Sequence, residues 1–181
     1  QGATAALLLP VNVQLADMDV AQGAAAPMAK RSPSSPAAPR PEAIESAVAL
    51  VRQSRKPLIV AGLGAHRAGA KAALEQLADR IGALLVTSAR GKDLFRGHPC
   101  NLGIVGSFSH SAARRMIAEA DCVLVFGAGL NLLTMSFGHS LPKVPLIQVD
   151  ANRGSIGRWH PADVAVVGDA RLAAEALLQA L

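Results

Sequence analysis

Along residues 42–181 the apolar positions follow two periods in turn. Short runs are apolar at nearly every position: Leu58-Ile59-Val60, Leu84-Leu85-Val86, Cys122–Phe126 and Val164–Val167. Runs of this length, bounded by glycine and polar residues, are strands covered on both faces of a sheet. Between them the spacing becomes helical. Ile44, Val48 and Val51 share one face of a segment from Pro41 to about Ser54. Ala70, Leu74, Leu77, Ala78 and Ile81 share a face over 70–81, and Ala112, Met116 and Ala120 over 109–120. The pattern predicts strands at Pro57–Ala61, Leu84–Thr87, Cys122–Phe126, 145–149 and Val164–Val167, with a short one near 103–106. Asp169 is placed to cap a last helix that runs to Leu181. Strands alternating with helices or long crossovers predict the α/β class, a three-layer α/β/α domain on a mostly parallel, Rossmann-like sheet.

Residues 1–41 do not join this alternation. Val11-Asn12-Val13-Gln14-Leu15 alternates apolar with polar, the period of a half-buried strand. Residues 21–41 are dominated by Ala, Pro and Ser, with Pro27, Pro33, Pro36, Pro39 and Pro41, the composition of an extended linker. Residues 1–20 then read as the end of a preceding domain, 21–41 as a linker, and 42–181 as the domain proper. The first residue is Gln1, not Met, which suggests a processed product or a fragment.

Composition changes this picture little. The chain of 181 residues is 51% hydrophobic and 3% aromatic, so its core is aliphatic and alanine-rich. The formal net charge is +5, but the Lys and Arg residues are dispersed and not interleaved with aromatics, which argues against a nucleic-acid partner. Leu7-Leu8-Leu9 stops at Pro10, far short of a membrane span. Cys100 and Cys122 have neither metal nor redox spacing, which fits a reducing, cytoplasmic setting.

The chemistry is expected at the strand ends. In open parallel sheets, ligands bind outside the carboxyl ends of the strands, where the strand order reverses. After Pro57–Ala61 comes Gly62-Leu63-Gly64-Ala65-His66-Arg67-Ala68-Gly69, a G-x-G-x4-G loop one residue longer than the common dinucleotide fingerprint. Its glycines permit close backbone approach, and a helix starting there would offer unpaired N–H groups to phosphate. Read alone, an ordinary strand–turn–helix packing role explains the loop about as well. The five histidines form no i, i+4 pair, and His98 before Pro99 reads as a structural turn. Ser107, Ser109 and Ser111 flank His110 without a G-x-S-x-G elbow, so Ser109 reads as a helix cap.

An ordered set of short motifs resembles the central domain of thiamine-diphosphate-dependent enzymes, the acetolactate synthase-like family. The set comprises Lys56-Pro57 with Gly62-Leu63-Gly64-Ala65; Leu77-Ala78 and Gly82; Thr87 with Gly91-Lys92; His98-Pro99, Gly103 and Gly106; Ala120-Asp121 before a strand ending Gly127-Ala128; Gln148-Val149-Asp150; and Val167-Gly168-Asp169. The resemblance covers 42–181, and residues 10–20 look like the exit strand of the family's pyrimidine-binding domain. It implies a six-stranded sheet of order 3-2-1-4-5-6. It also implies a homo-oligomeric parent that joins or cleaves 2-oxo acids with thiamine diphosphate and Mg2+, both held by pyrimidine- and diphosphate-binding domains outside this chain. The domain itself would be structural, inactive alone, and in some members would hold FAD or ADP.

For such a nucleotide the resemblance assigns Gly62 and Gly64 to the diphosphate, Gly127 and Ala128 to the opposite wall, and Asp150 to the ribose hydroxyls. Gly168 and Asp169 would lie beside the adenine. FAD-binding members often carry an Arg and an acid soon after the fourth-strand glycine. Here 129–133 read Gly-Leu-Asn-Leu-Leu, and Arg67 is the substitute cation. Two other readings stay open at this level: a non-catalytic flavin-binding electron-transfer domain, and a nicotinamide-linked oxidoreductase. The latter would want an acid where Thr87-Ser88 stand.

Overall fold

The computed structural model describes residues 6–17 and 35–181, and the chain divides into two units, Gln1–Ser34 and Ser35–Leu181. In the first unit Val11–Gln14 is a four-residue helix, α1, and not the half-buried strand that its alternation predicts. All its residues are exposed. No strand pairs with it among the described residues, and local bonds serve instead: the N–H groups of Val13 and Gln14 donate to the Pro10 carbonyl at 3.0 and 3.1 Å. The Pro-rich residues 21–34 lie outside the described residues.

In the second unit the elements run α2 (Pro41–Val51), β1 (Pro57–Ala61), α3 (Leu63–Arg67), α4 (Lys71–Ile81), β2 (Leu84–Thr87), β3 (Asn101–Ile104), α5 (Ser111–Ala118), β4 (Cys122–Phe126), α6 (Leu132–Met135), β5 (Leu146–Asp150), β6 (Val164–Val167) and α7 (Ala170–Ala180). The six strands form one sheet of order β3-β2-β1-β4-β5-β6, and every pairing is parallel. The order reverses between β1 and β4, where Ala61 lies opposite Phe126.

Side-chain alternation along each strand feeds two separate cores. Ile59, Ala61, Leu85, Leu124, Phe126, Ile147 and Val149 face α2, α4 and α7, packing on Leu74, Leu77, Ala174 and Leu177. Leu58, Val60, Val86, Val123 and Val125 face the opposite side, where α5 contributes Ala113 and Ile117. Each fully buried Leu, Ile or Phe is worth about 2 kcal/mol, so the continuous apolar runs commit these segments to the sheet centre.

Three local features differ from the periodicity. α5 spans Ser111–Ala118, and its buried face is Ala113, Ile117 and, just beyond it, Ala120; Ala112 and Met116 are exposed. That face shares only Ala120 with the expected one: Ile117, and not Met116, is buried in the core. Ser109 does not cap this helix. His110 holds the cap position without a side-chain bond. The third strand lies at Asn101–Ile104, two residues earlier than expected, and its pairing with β2 is irregular between Leu85 and Thr87. Asp169 does cap α7, accepting from the N–H groups of Arg171 at 3.0 Å and Leu172 at 3.2 Å.

A candidate crevice at the strand ends

The glycine loop is folded against the loop after β4. The N–H of Gly62 donates to the Phe126 carbonyl at 2.9 Å and that of Gly64 to the Gly127 carbonyl at 3.0 Å. A Cβ on Gly62 would lie 2.3 Å from the Gly127 oxygen, and one on Gly64 2.7 Å from the Gly127 Cα. These glycines therefore allow two backbones to touch across the switch point. The turn between Gly62 and Gly69 holds α3, whose last residue, Arg67, is exposed.

Beside this contact lies a cleft of about 300 Å³, at the small end for a ligand site. Gly127 and Ala128 line it, as do Leu63, Ser88, Arg90 and Asn131. Gly127 has φ +56°, the left-handed conformation that turns the β4 exit back over β1. The cation at this cleft is Arg90, in the turn after β2, whereas the sequence pointed to Arg67. Its signal was positional: it precedes Gly91, where a Cβ would lie 2.9 Å from the Ala61 carbonyl, so the β2 exit must pass close over β1. Asn131 caps α6 by accepting from the Thr134 N–H at 3.1 Å.

Asp150, Gly168 and Asp169 do not line this cleft. Asp150 ends β5, half-buried; burial pushes its carboxyl up from the ordinary value, and the Asn152 N–H, donating at 2.8 Å, opposes that rise. Gly168 is covered by the protein's own chain: a Cβ there would lie 3.0 Å from the Pro39 nitrogen, and the Asp169 N–H donates to the Ala37 carbonyl at 2.8 Å. The end of the expected linker thus serves as a strap across the end of β6.

Gln148 ties the two loop systems together. It is 1% exposed within an apolar strand; its amide N donates to the carbonyls of Ala128 (3.3 Å) and Ser155 (3.4 Å), and its oxygen accepts from the Gly157 N–H (3.0 Å). His98 is structural, as its setting before Pro99 suggested. Its Nδ1 accepts from the Cys100 N–H at 3.2 Å, and Nε2 faces the Asp79 carboxylate at 3.2 Å. Trp159 is exposed, with the Arg158 guanidinium 5.5 Å from its ring centre.

Residues 44–177 match the family model described as the thiamine pyrophosphate enzyme, central domain. The chain belongs to that family. Among similar central domains, that of the sulfoacetaldehyde acetyltransferase of Roseovarius nubinhibens is 34% identical over 145 residues, 77% of this chain and 24% of the relative. The "probable acetolactate synthase large subunit" of Methanocaldococcus jannaschii is 32% identical over 143 residues, 78% of this chain and 24% of the relative. In Mycobacterium smegmatis, a protein described as a thiamin diphosphate-dependent enzyme superposes with a TM-score of 0.67 at 26% identity, covering 85% of this chain and 30% of that one. This central domain thus spans about a quarter of the length of the curated relatives it matches. The match gives no support to a flavin electron carrier or a nicotinamide oxidoreductase.

The positions assigned to a dinucleotide are not brought together into one cleft. The N–H groups of Gly62 and Gly64 are already bonded, Asp150 stands apart from the cleft, and Ala37–Pro39 in sequence positions 37–39 cover Gly168. Among the described residues no group of three or more His, Cys, Asp or Glu side chains could hold a metal ion. Nor is any helix among them long and apolar enough to cross a membrane.

Proposed function

We propose that this chain is the structural central domain of a longer thiamine-diphosphate-dependent enzyme acting on 2-oxo acids, in the manner of acetolactate synthase. Family membership, with coverage of about a quarter of each relative, is the observation that carries the reading. In it, pyrimidine- and diphosphate-binding domains hold thiamine diphosphate and Mg2+ and supply the carbon–carbon chemistry. This domain spaces them and contributes subunit contacts in a homo-oligomer. Phe108, Leu132, Leu133 and Phe137, all more than half exposed, are among the apolar side chains available for such contacts. The coding sequence on either side tests it. A Glu-bearing pyrimidine domain before this chain and a Gly-Asp-Gly…Asn motif after it are expected; the absence of both overturns the reading.

A second reading keeps a nucleotide, FAD or ADP, at the switch point. It is favoured by the Arg90 cation and the cleft walls at Gly127 and Ala128. In that reading the strap at 37–39 would have to lift from Gly168 to admit adenine beside Asp169. The intact packing of that strap favours the structural reading.

A further inference from the structure

A second cavity, of about 210 Å³, lies between α5 and the segment that follows α6. Ser109, Arg114 and Ile117 line one side, and Ser136, His139 and Leu141 the other. It shares no lining residue with the crevice at the strand ends. Its chemistry is one-sided. It gathers a guanidinium, an imidazole and serine hydroxyls, and no acidic side chain lines it.

Two features distinguish its lining. Ser109 is 7% exposed, and its Oγ is buried without a hydrogen-bond partner among the described residues. Buried hydroxyls in folded proteins are nearly always bonded, so an orphan of this kind needs an explanation. Arg114 is held by its Nε–H, which donates to the Ser109 carbonyl at 3.1 Å. Its terminal amino groups then have no protein partner among the described residues, and none of the salt bridges uses it. A positioned fork with free donors is the usual receiver of a carboxylate or phosphate. Gly106 also lines the cavity. Gly106, at φ +94°, has room for no Cβ, which would lie 2.2 Å from the Leu133 carbonyl. The Ser107 N–H donates to that same carbonyl at 3.1 Å.

We propose that this cavity binds a small organic acid, its carboxylate on Arg114 and its short apolar part against Ile117 and Leu141. The volume equals that of about seven liquid waters, which suits an acid of about six heavy atoms. The apolar half of the lining favours an organic acid over a bare inorganic anion. The site does not depend on the reading given under Proposed function.

Calorimetric titration of the 181-residue protein with butyrate, butyramide and inorganic phosphate tests it. Butyrate is expected to bind saturably and the neutral butyramide to be silent. Arg114→Gln, at an exposed position that leaves the core intact, should weaken butyrate about ten-fold or more, the usual consequence of losing a charged hydrogen-bond partner. Absence of saturable butyrate binding, equal binding of butyramide, or butyrate binding that survives Arg114→Gln would overturn the proposal. Phosphate binding with butyrate silent would overturn the organic-acid assignment.

Discussion

Substituting Gly62 by alanine probes the contact that closes the switch point. The added Cβ would sit 2.3 Å from the Gly127 oxygen and 2.7 Å from both the Cα and Cβ of Ala128. Ordinary contact needs about 3.5 Å, so the two loops must separate by about 1 Å. Neither obstacle is a flexible side-chain tip. Overpacking of this kind costs about 1–3 kcal/mol. Separation also stretches the bonds from Gly62 to Phe126 and from Gly64 to Gly127, each worth about 1 kcal/mol. The sum is about 3–5 kcal/mol, a fall in melting temperature on the order of 10 °C for a domain of this size. Urea unfolding followed by circular dichroism reads this directly. Gly129→Ala is the control, because a Cβ there meets nothing within 4 Å, and it should lie within about 0.5 kcal/mol of the parent. If Gly62→Ala unfolds within 1 kcal/mol of the parent, on the scale of these costs, the loop contact does not hold the switch point together.

Three further outcomes are expected. Asp121 accepts from the Ser54 hydroxyl and from the N–H groups of Arg55 at 2.8 Å and Lys56 at 3.0 Å. Burial alone would raise its carboxyl, but these bonds hold it below the ordinary value. Asp121→Ala should cost about 1–2 kcal/mol in urea unfolding at pH 7, the range for a half-exposed bonded group. At Asp150 the sign is opposite: burial raises the folded value, so its stabilising contribution is full below the unfolded value of about 3.9 and is lost as pH rises through the folded one. Asp150→Asn should therefore melt higher than the parent at pH 7, with the gap narrowing as pH falls; a constant gap refutes the burial argument. Burial, followed by the nearby carboxylates of Asp121 and Asp163, pushes the Cys122 thiol up to about 11. Iodoacetamide at pH 8 should leave Cys122 unmodified in the folded protein, as peptide mass analysis would show.

The fold was legible because its strongest signals are local and redundant. Leu58-Ile59-Val60 and Cys122–Phe126 admit no reading but buried strands, and their alternation with helical spacing leaves few topologies. The errors fall where one residue of phase or an absent neighbour decides. Ile117 and Met116 are both apolar, and only packing shows which faces the core. Val11–Gln14 alternates like a strand, but a strand needs an edge to pair with.

The crevice was less legible. A G-x-G motif reports close backbone approach, and the sequence leaves open what approaches; the Gly127 loop lies against it. Gly168 likewise touches Pro39, a residue whose composition read as linker. Arg90 escaped notice because its role depends on how the β2 exit passes over β1. Gln148, by contrast, belongs to the family motifs, and its burial in an apolar strand gives that motif a mechanical reason.

In the structural reading proposed above, the protein's own chain occupies the positions at Gly62, Gly64 and Gly168 that a bound nucleotide would need. Calorimetric titration with ADP and with FAD tests it most directly. The account predicts no saturable heat with either, for the parent and for Asp150→Ala alike. Saturable binding of ADP or FAD that Asp150→Ala weakens would contradict it and restore the nucleotide site.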